Sequence, residues 1–248
     1  MICPVTMRNA IFDLDGTLVD SSGDILHSLR AAYFRCGLAD LSARIVDRSI
    51  IGPPLQDVVK SLSPEISELQ LRTIVAEFRD HYDRSNLGET TTYVGIDQLL
   101  SELVAAGVQV FVATNKPSHP TQRILQHLRL DSLLSDVITP DCLSTEDKSK
   151  REMLGVLIRR WNLETTTTFL VGDSPADIVA AHAWQLASVG VLYGYGRAEQ
   201  IALACPTHLA PTVESLRTIL RNALGSGTRQ ESRPECPAIA SRTHKLGV

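Results

Sequence analysis

Short runs of consecutive apolar residues, each about the length of a strand, recur along the chain. These runs are continuous rather than alternating with polar residues, which is typical of strands buried on both faces of a parallel sheet. They cover residues 10–12, 108–113, 137–138, 169–171 and 188–192. The pattern therefore predicts a parallel sheet with both faces covered.

Helical periodicity fills the intervals between the later runs. Residues 96–104 carry apolar side chains at positions i, i+3, i+4, i+7 and i+8, and Gly107 follows where a helix C-terminus is expected. Ser174 and Pro175 have the character of an N-cap and a first helical residue. Because strands and helices alternate from about residue 94 to residue 224, the predicted fold class is α/β, with a doubly wound, Rossmann-like parallel sheet.

The stretch after the first strand breaks this alternation. Ser21 and Ser22 are suited to capping a helix, Pro54 is suited to opening another, and residues 66–82 have the apolar spacing of a long helix. No strand is expected in this stretch. We therefore predict an all-helical insertion at residues 21–90.

The chain accordingly divides into three predicted parts. Residues 8–20 and 91–224 form the α/β core, and residues 21–90 form the helical insertion. Residues 225–248 contain glycine, serine, threonine, arginine and proline with almost no apolar periodicity, which predicts a disordered tail.

Composition narrows the classes of partner and environment. The chain has 248 residues, 44% of them apolar and 21% charged, and no apolar run approaches the roughly 20 residues of a spanning helix. A formal charge of −4 provides no general attraction to nucleic acid or to anionic lipid. The five cysteines show no CxxC spacing, and the first residues lack the pattern of a secretory signal, so reduced thiols and a cytoplasmic location are expected.

The strongest chemical signal follows the first predicted strand. Asp13 ends that strand, and Asp15 lies two residues later, so both carboxylates are expected on the same side of the strand end. Gly16 allows the backbone to turn sharply away. Ligands of open parallel sheets bind at this end, and two adjacent carboxylates there favour a hard cation such as Mg²⁺.

Two further strand ends carry polar groups. Asp173 follows the fourth run and is suited to completing a cation site, whereas Asp177 has two equally plausible roles, at the site or at the start of a helix. Thr114 follows the second run and offers a hydroxyl group beside backbone N–H groups. The glycine-rich residues 192–197 are interpreted as a turn rather than a binding loop.

Four motifs in this order resemble those of the haloacid dehalogenase-like superfamily, in its phosphoglycolate-phosphatase-like branch. They are DLDGTLVD at 13–20, VATNKP at 112–117, a lysine before a helix at Lys148 or Lys150, and VGDSPAD at 171–177. The resemblance covers nearly all of residues 8–224. The helical insertion resembles the mobile cap that this branch places after its first motif.

The resemblance implies roles for the three aspartates. Asp13 would be the nucleophile that forms an aspartyl-phosphate, and Asp15 would protonate the leaving oxygen and then activate water. Mg²⁺ would be held by the Asp13 carboxylate, the Asp15 backbone carbonyl and Asp173. These parts supply the positioning and charge neutralisation that phosphoryl transfer requires.

The resemblance also implies groups around the phosphate. Thr114 would hydrogen-bond a phosphoryl oxygen, with Asn115 shaping the same loop. Of the two lysines, Lys150 is favoured over Lys148 because it begins a Lys-x-Glu sequence followed by two apolar residues, as in similar relatives. Arg48 lies in a segment similar to the part of the cap that faces the active site, where it would meet a second anionic group on the substrate.

The expected function is that of a Mg²⁺-dependent phosphatase for a small phosphorylated metabolite, with 2-phosphoglycolate as the first candidate. A phosphosugar mutase, a pyrophosphatase and a nucleotidase of the same superfamily are the alternatives. A regulatory or binding module on the same fold is the alternative outside the enzymes. A monomer or a homodimer is expected, with neither nucleic acid nor a membrane as a partner.

Overall fold

In the part of the chain that the structure describes, six parallel strands form a central sheet. The computed structural model describes residues 7–225, so most of the predicted tail, at 226–248, lies outside the described residues. The strands are β1 (Asn9–Phe12), β2 (Val19–Asp20), β3 (Thr91–Thr92), β4 (Gln109–Ala113), β5 (Asp136–Ile138), β6 (Thr168–Gly172), β7 (Ala187–Val191) and β8 (His208–Ala210). The sheet order is β5-β4-β1-β6-β7-β8, with every neighbouring pair parallel. The predicted doubly wound α/β fold is confirmed.

Ten α-helices accompany the strands within residues 7–225. They are α1 (Ser22–Arg35), α2 (Ala39–Ser42), α3 (Leu55–Leu62), α4 (Glu68–Arg84), α5 (Ile96–Ala105), α6 (Ser118–His127), α7 (Lys150–Trp161), α8 (Pro175–Ala183), α9 (Ala198–Leu203) and α10 (Val213–Gly225). The chain runs from β1 outward through β4 and β5, then crosses to β6 on the other side of β1. The strand order therefore reverses at β1, which is where such sheets bind ligands.

Successive residues of the central strands point to opposite faces of the sheet, and both faces are covered by helices. Phe12 and Val112 pack in a cluster with the apolar residues of α5, α6 and α10. Ile11 and Phe111 pack in a second cluster with those of α7 and α8. Because both faces are dry, these strands have no polar alternation, which is the reason their runs are continuous in the sequence.

Helices α1 to α4 have a core of their own. Leu29, Val59 and Ile74, from α1, α3 and α4, are fully or almost fully buried in one cluster. Every regular element between residues 21 and 90 is helical, as expected, and β2 and β3 lie just outside the two ends of this segment, where they form a short antiparallel pair. This pair joins the two connections to the core. The predicted domain boundaries themselves stay a prediction.

Details at helix starts differ from the expected capping. Ser21 is the N-cap residue of α1, but its side chain makes no capping hydrogen bond because it is turned to Asp15 instead. Pro54 is the N-cap residue of α3 rather than its first helical residue. Strand β8 was not among the predicted runs, since its three residues include a histidine and are mostly exposed.

Two expectations from the sequence concern membrane-spanning helices and the state of the cysteines. Among the helices of residues 7–225, none combines the length and the low polarity needed to cross a bilayer. Cys36 and Cys142 are free thiols, as expected. The expected reduced state of the other cysteines stays a prediction.

Two leucines provide a test of how the core stabilises this fold. Leu100 in α5 is fully buried, and Leu203 in α9 is 74% exposed. We expect Leu100→Ala to lower the free energy of unfolding by about 2–5 kcal/mol through lost burial and a residual cavity. Leu203→Ala should change it by no more than about 0.5 kcal/mol. Urea unfolding followed by circular dichroism measures both, and equal effects would contradict the assigned core.

Candidate active site

Three neighbouring strands deliver polar side chains to one edge of the sheet. Asp13 directly follows β1, Thr114 follows β4 and Asp173 follows β6, and β1 is paired with both other strands. All three residues are buried. Because the strands are parallel and in register, their carboxyl ends meet, and residues separated by up to 160 positions in the sequence lie together.

A lysine from a fourth element joins this group. The Nζ atom of Lys150, the first residue of α7, lies 2.6 Å from Asp13 Oδ1 and 2.6 Å from the carbonyl oxygen of Ala113. It also lies 3.0 Å from Asp177 Oδ1. Lys148, the alternative lysine, instead donates to the carbonyl oxygen of Leu143. The structure thus brings Lys150, and not Lys148, to Asp13.

Burial strongly affects the titration of this group. Burial raises the pKa of Asp13 above its usual range, and the neighbouring charge of Lys150 only partly opposes this. Burial also raises the pKa of Asp173, with a further rise from the charge of Asp177. Burial alone would lower the pKa of Lys150, but the charges of Asp13 and Asp177 raise it instead. The cluster is therefore short of positive charge.

The carboxylates form a donor set suited to a divalent cation. Oxygen atoms of Asp13, Asp173 and Asp177 all lie within 4.8 Å of one another. Three carboxylates and one ammonium group carry a formal charge of −2, which a dication balances. All of these donors are oxygen atoms, the ligands preferred by hard cations. The residues present therefore fit a divalent metal ion.

Asp177 differs from the other two carboxylates in its contacts. Its Oδ2 atom accepts hydrogen bonds from the backbone and side chain of Ser174 in a reciprocal capping box, and its Oδ1 atom faces Lys150. Asp177 Oδ1 is buried and accepts no hydrogen bond in the described residues, although it lies 3.0 Å from Lys150 Nζ. Asp177 therefore starts α8 and also contacts the lysine of the site.

A glycine-rich loop after β7 encloses Asp173. The backbone N–H groups of Tyr195 and Gly196 donate to Asp173 Oδ2 at 2.7 and 3.4 Å. A Cβ atom at Gly196 would collide with the Asp173 carbonyl oxygen, and one at Gly194 would collide with the backbone of Gly16. Residues 192–197 were predicted to be a turn without a binding role, but the close approach of this backbone orients the carboxylate of Asp173.

Asp15 is held by two residues that the sequence did not identify. Lys116 Nζ lies 3.0 Å from both carboxylate oxygens of Asp15, and the Ser21 hydroxyl donates to Oδ1. The available signal in the sequence was the position of Lys116, two residues beyond Thr114 in the turn that follows β4. Ser21 gave no separate signal, because a serine at that position also suits a helix cap.

The remaining predicted residues have contacts outside the cluster of Asp13, Asp173 and Asp177. The Thr114 hydroxyl accepts the N–H of Lys116 at 3.1 Å. The Asn115 side chain donates to the carbonyl oxygen of Gly52, in the helical segment, at 3.0 Å. Arg48 Nη1 lies 3.8 Å from Asp20 Oδ2, and its side chain is about half exposed. Arg48 and Asn115 therefore lie where the helical segment contacts the core.

Comparison with known proteins bears on this site. Residues 10–191 match the family model described as haloacid dehalogenase-like hydrolase. The chain is 32% identical to a phosphoglycolate phosphatase of Vibrio vulnificus, with 84% of this chain and 94% of the relative covered. It is 28% identical to a 5'-nucleotidase of Pseudomonas aeruginosa, covering 86% of this chain and 96% of that protein.

Among solved structures, similarity extends to a protein that is named for a different activity. Protein tyrosine kinase A of Mycobacterium tuberculosis superposes with a TM-score of 0.71 at 29% identity, covering 87% of this chain and 98% of that one. These similar proteins are named for different substrates.

The buried lysine provides a test of the site's electrostatics. Lys150→Met would leave two buried carboxylates without their cation, so we expect the free energy of unfolding at pH 7 to fall by about 3–5 kcal/mol in metal-free buffer. Lys60→Met, at an exposed position in α3, should change it by less than about 0.5 kcal/mol. Chemical denaturation of both variants measures the difference, and an unchanged Lys150→Met would contradict the pairing.

Proposed function

The chain belongs to the haloacid dehalogenase-like hydrolase family and is a phosphoric monoester hydrolase, and we propose that it hydrolyses small phosphomonoesters with Mg²⁺ through an aspartyl-phosphate on Asp13. The observation that carries the proposal is the contact of buried Asp13 with Lys150 at 2.6 Å, beside an all-oxygen donor set. A nucleophile, a balancing cation and metal ligands are thus adjacent.

The proposed reaction has two steps at phosphorus. A carboxylate oxygen of Asp13 bonds to phosphorus as the ester oxygen leaves, and Asp15 transfers its proton to that oxygen. Water then attacks the phosphorus of the aspartyl-phosphate and gives its proton to Asp15, which releases inorganic phosphate and restores both aspartates. Lys150 contacts Asp13, and Lys116 contacts Asp15.

Asp13, Asp173 and the backbone carbonyl of Asp15 would hold the metal ion. When bound, Mg²⁺ would neutralise charge on the transferring phosphoryl group and offset the surplus negative charge of the carboxylates. Thr114 is proposed to donate its hydroxyl to a phosphoryl oxygen. Its support is its burial at the end of β4, next to the strand that leads to Asp13.

The helical segment is proposed to act as the substrate-selecting cap. Three of its parts contact the core at the site: Gly52 at Asn115, Arg48 beside Asp20, and Tyr82 over Lys116. Arg48 is proposed to bind a second anionic group of the substrate, because its guanidinium group is half exposed and contacts only one carboxylate in the described residues.

The first substrate candidate is 2-phosphoglycolate, whose carboxylate would suit Arg48. This name comes from similar phosphatases, and the nucleotidase relative makes a 5'-mononucleotide the second ester to test. A cytoplasmic location, and a monomeric or homodimeric state, stay predictions.

Phosphate release is the direct test of the proposed activity. We expect the wild type with Mg²⁺ to hydrolyse at least one ester among 2-phosphoglycolate, a 5'-mononucleotide, a sugar phosphate and 4-nitrophenyl phosphate. Asp13→Asn should lower kcat by about 10³-fold or more, because it removes the nucleophile. Asp97→Asn, at an exposed position in α5, should leave it unchanged.

The outcomes of this assay separate the candidates. Undiminished turnover in Asp13→Asn, or no turnover of any ester, would contradict the proposal. Isomerised sugar phosphate with little free phosphate would instead identify a mutase. Pyrophosphate is assayed beside the esters, and release of phosphate from pyrophosphate alone would identify a pyrophosphatase.

Metal binding is tested independently of activity by thermal unfolding. A ligand at 100 times its Kd stabilises the folded state by about 2.7 kcal/mol, and each kcal/mol raises Tm by roughly 2–4 °C in a chain of this size. We expect MgCl₂ to raise Tm of the wild type and of Asp97→Asn, but not of Asp173→Asn. An equal rise in all three proteins would refute the assigned metal ligand.

A further inference from the structure

Asp15 and Lys116 form a nearly dry ion pair next to the proposed nucleophile. Their side chains are 12% and 8% exposed, and Lys116 Nζ lies 3.0 Å from both Oδ1 and Oδ2 of Asp15. A contact to both oxygens restricts rotation of the carboxylate about its own axis. Surface ion pairs rarely have this geometry, because solvent competes for each group.

A second donor holds the same carboxylate from another direction. The hydroxyl of Ser21 donates to Asp15 Oδ1, and the Ser21 backbone N–H donates to the hydroxyl oxygen of Tyr195 at 2.7 Å. Ser21 is fully buried. Asp15 is therefore held between the turn after β4 and the connection that leads into α1.

The position of Lys116 is itself determined by its surroundings. Its backbone N–H donates to the Thr114 hydroxyl, and its carbonyl oxygen accepts from the Thr121 hydroxyl. Its Nζ atom lies 5.0 Å from the centre of the Tyr82 ring, on the C-terminal half of α4. A cation over an aromatic ring is attracted by the ring's electron-rich face.

Lys116 has no second carboxylate within reach in residues 7–225. Lys150 contacts Asp13 and Asp177, whereas Lys116 contacts only Asp15 among the acidic residues. Among the described residues, the ammonium group of Lys116 therefore serves a single carboxylate, that of Asp15.

We propose that Lys116 is a positioning residue that orients the Asp15 carboxyl group toward the leaving oxygen. The inference rests on the proposed function, in which Asp15 gives its proton to the ester oxygen as the bond to phosphorus breaks. An acid held at the correct angle contributes about 10²–10⁴-fold to such a step. Lys116 itself exchanges no proton with the substrate.

This role predicts a dependence on the leaving group. An alkyl phosphate releases a strongly basic alkoxide oxygen, which needs the proton of Asp15, whereas 4-nitrophenyl phosphate releases a stabilised phenolate that needs it little. We expect Lys116→Met to lower kcat/KM for the best alkyl ester of the panel by about 100-fold or more. For 4-nitrophenyl phosphate the decrease should be no more than about 10-fold.

The comparison of two substrates keeps the test valid if the variant is less stable. Both values of kcat/KM are measured on one preparation, so the fraction of active enzyme cancels in their ratio. Lys116→Arg keeps the cation and should restore the ratio to within about threefold of the wild type. Lys60→Met should leave both values unchanged.

Equal decreases for both esters in Lys116→Met would overturn the inference, as would loss of all activity toward both esters in both Lys116 variants. Failure of the proposed function looks different. In that case the wild type itself would hydrolyse no ester, or Asp13→Asn would remain active.

Discussion

The rest of this structure depends on one constraint: several carboxylates are buried away from solvent at the same end of the sheet. Asp13, Asp173 and Asp177 are buried within a few ångströms of one another, where each ionised group loses hydration and repels the next. The fold opposes this cost with Lys150 and with backbone donors. The carboxylates still carry more negative charge than Lys150 neutralises, and a divalent cation would balance the difference.

Each carboxylate at the site is oriented by a different part of the chain. Asp13 is contacted from α7, Asp15 from the turn after β4 and from the connection into α1, and Asp173 from the loop after β7. Glycines are required where that loop approaches Asp173. Loops after parallel strands all lie at the same end of the sheet. Residues from several loops can therefore contact these carboxylates directly.

Much of the fold was predictable because burial leaves a pattern in the sequence. Five of the six sheet strands are continuous apolar runs, and the alternation of strands and helices predicted the doubly wound sheet. Strand β8 was missed because an exposed edge strand needs no such run. The β2–β3 pair was missed because two residues are too few to show a period. Ser174 caps α8 as the sequence predicted. The Ser21 side chain does not cap α1, because its hydroxyl donates to Asp15 instead.

The sequence by itself determined the carboxylates, the motif order and the fold class, because these depend on residue type and on local spacing. Only the tertiary structure decided which lysine meets which aspartate. Lys148 and Lys150 are two residues apart, and their different environments follow from where α7 begins against β4. Lys116 reaches Asp15 across 101 positions, and Tyr195 reaches Ser21 across 174. Contacts of this kind depend on how strand ends and loops converge in space, which local sequence patterns do not encode.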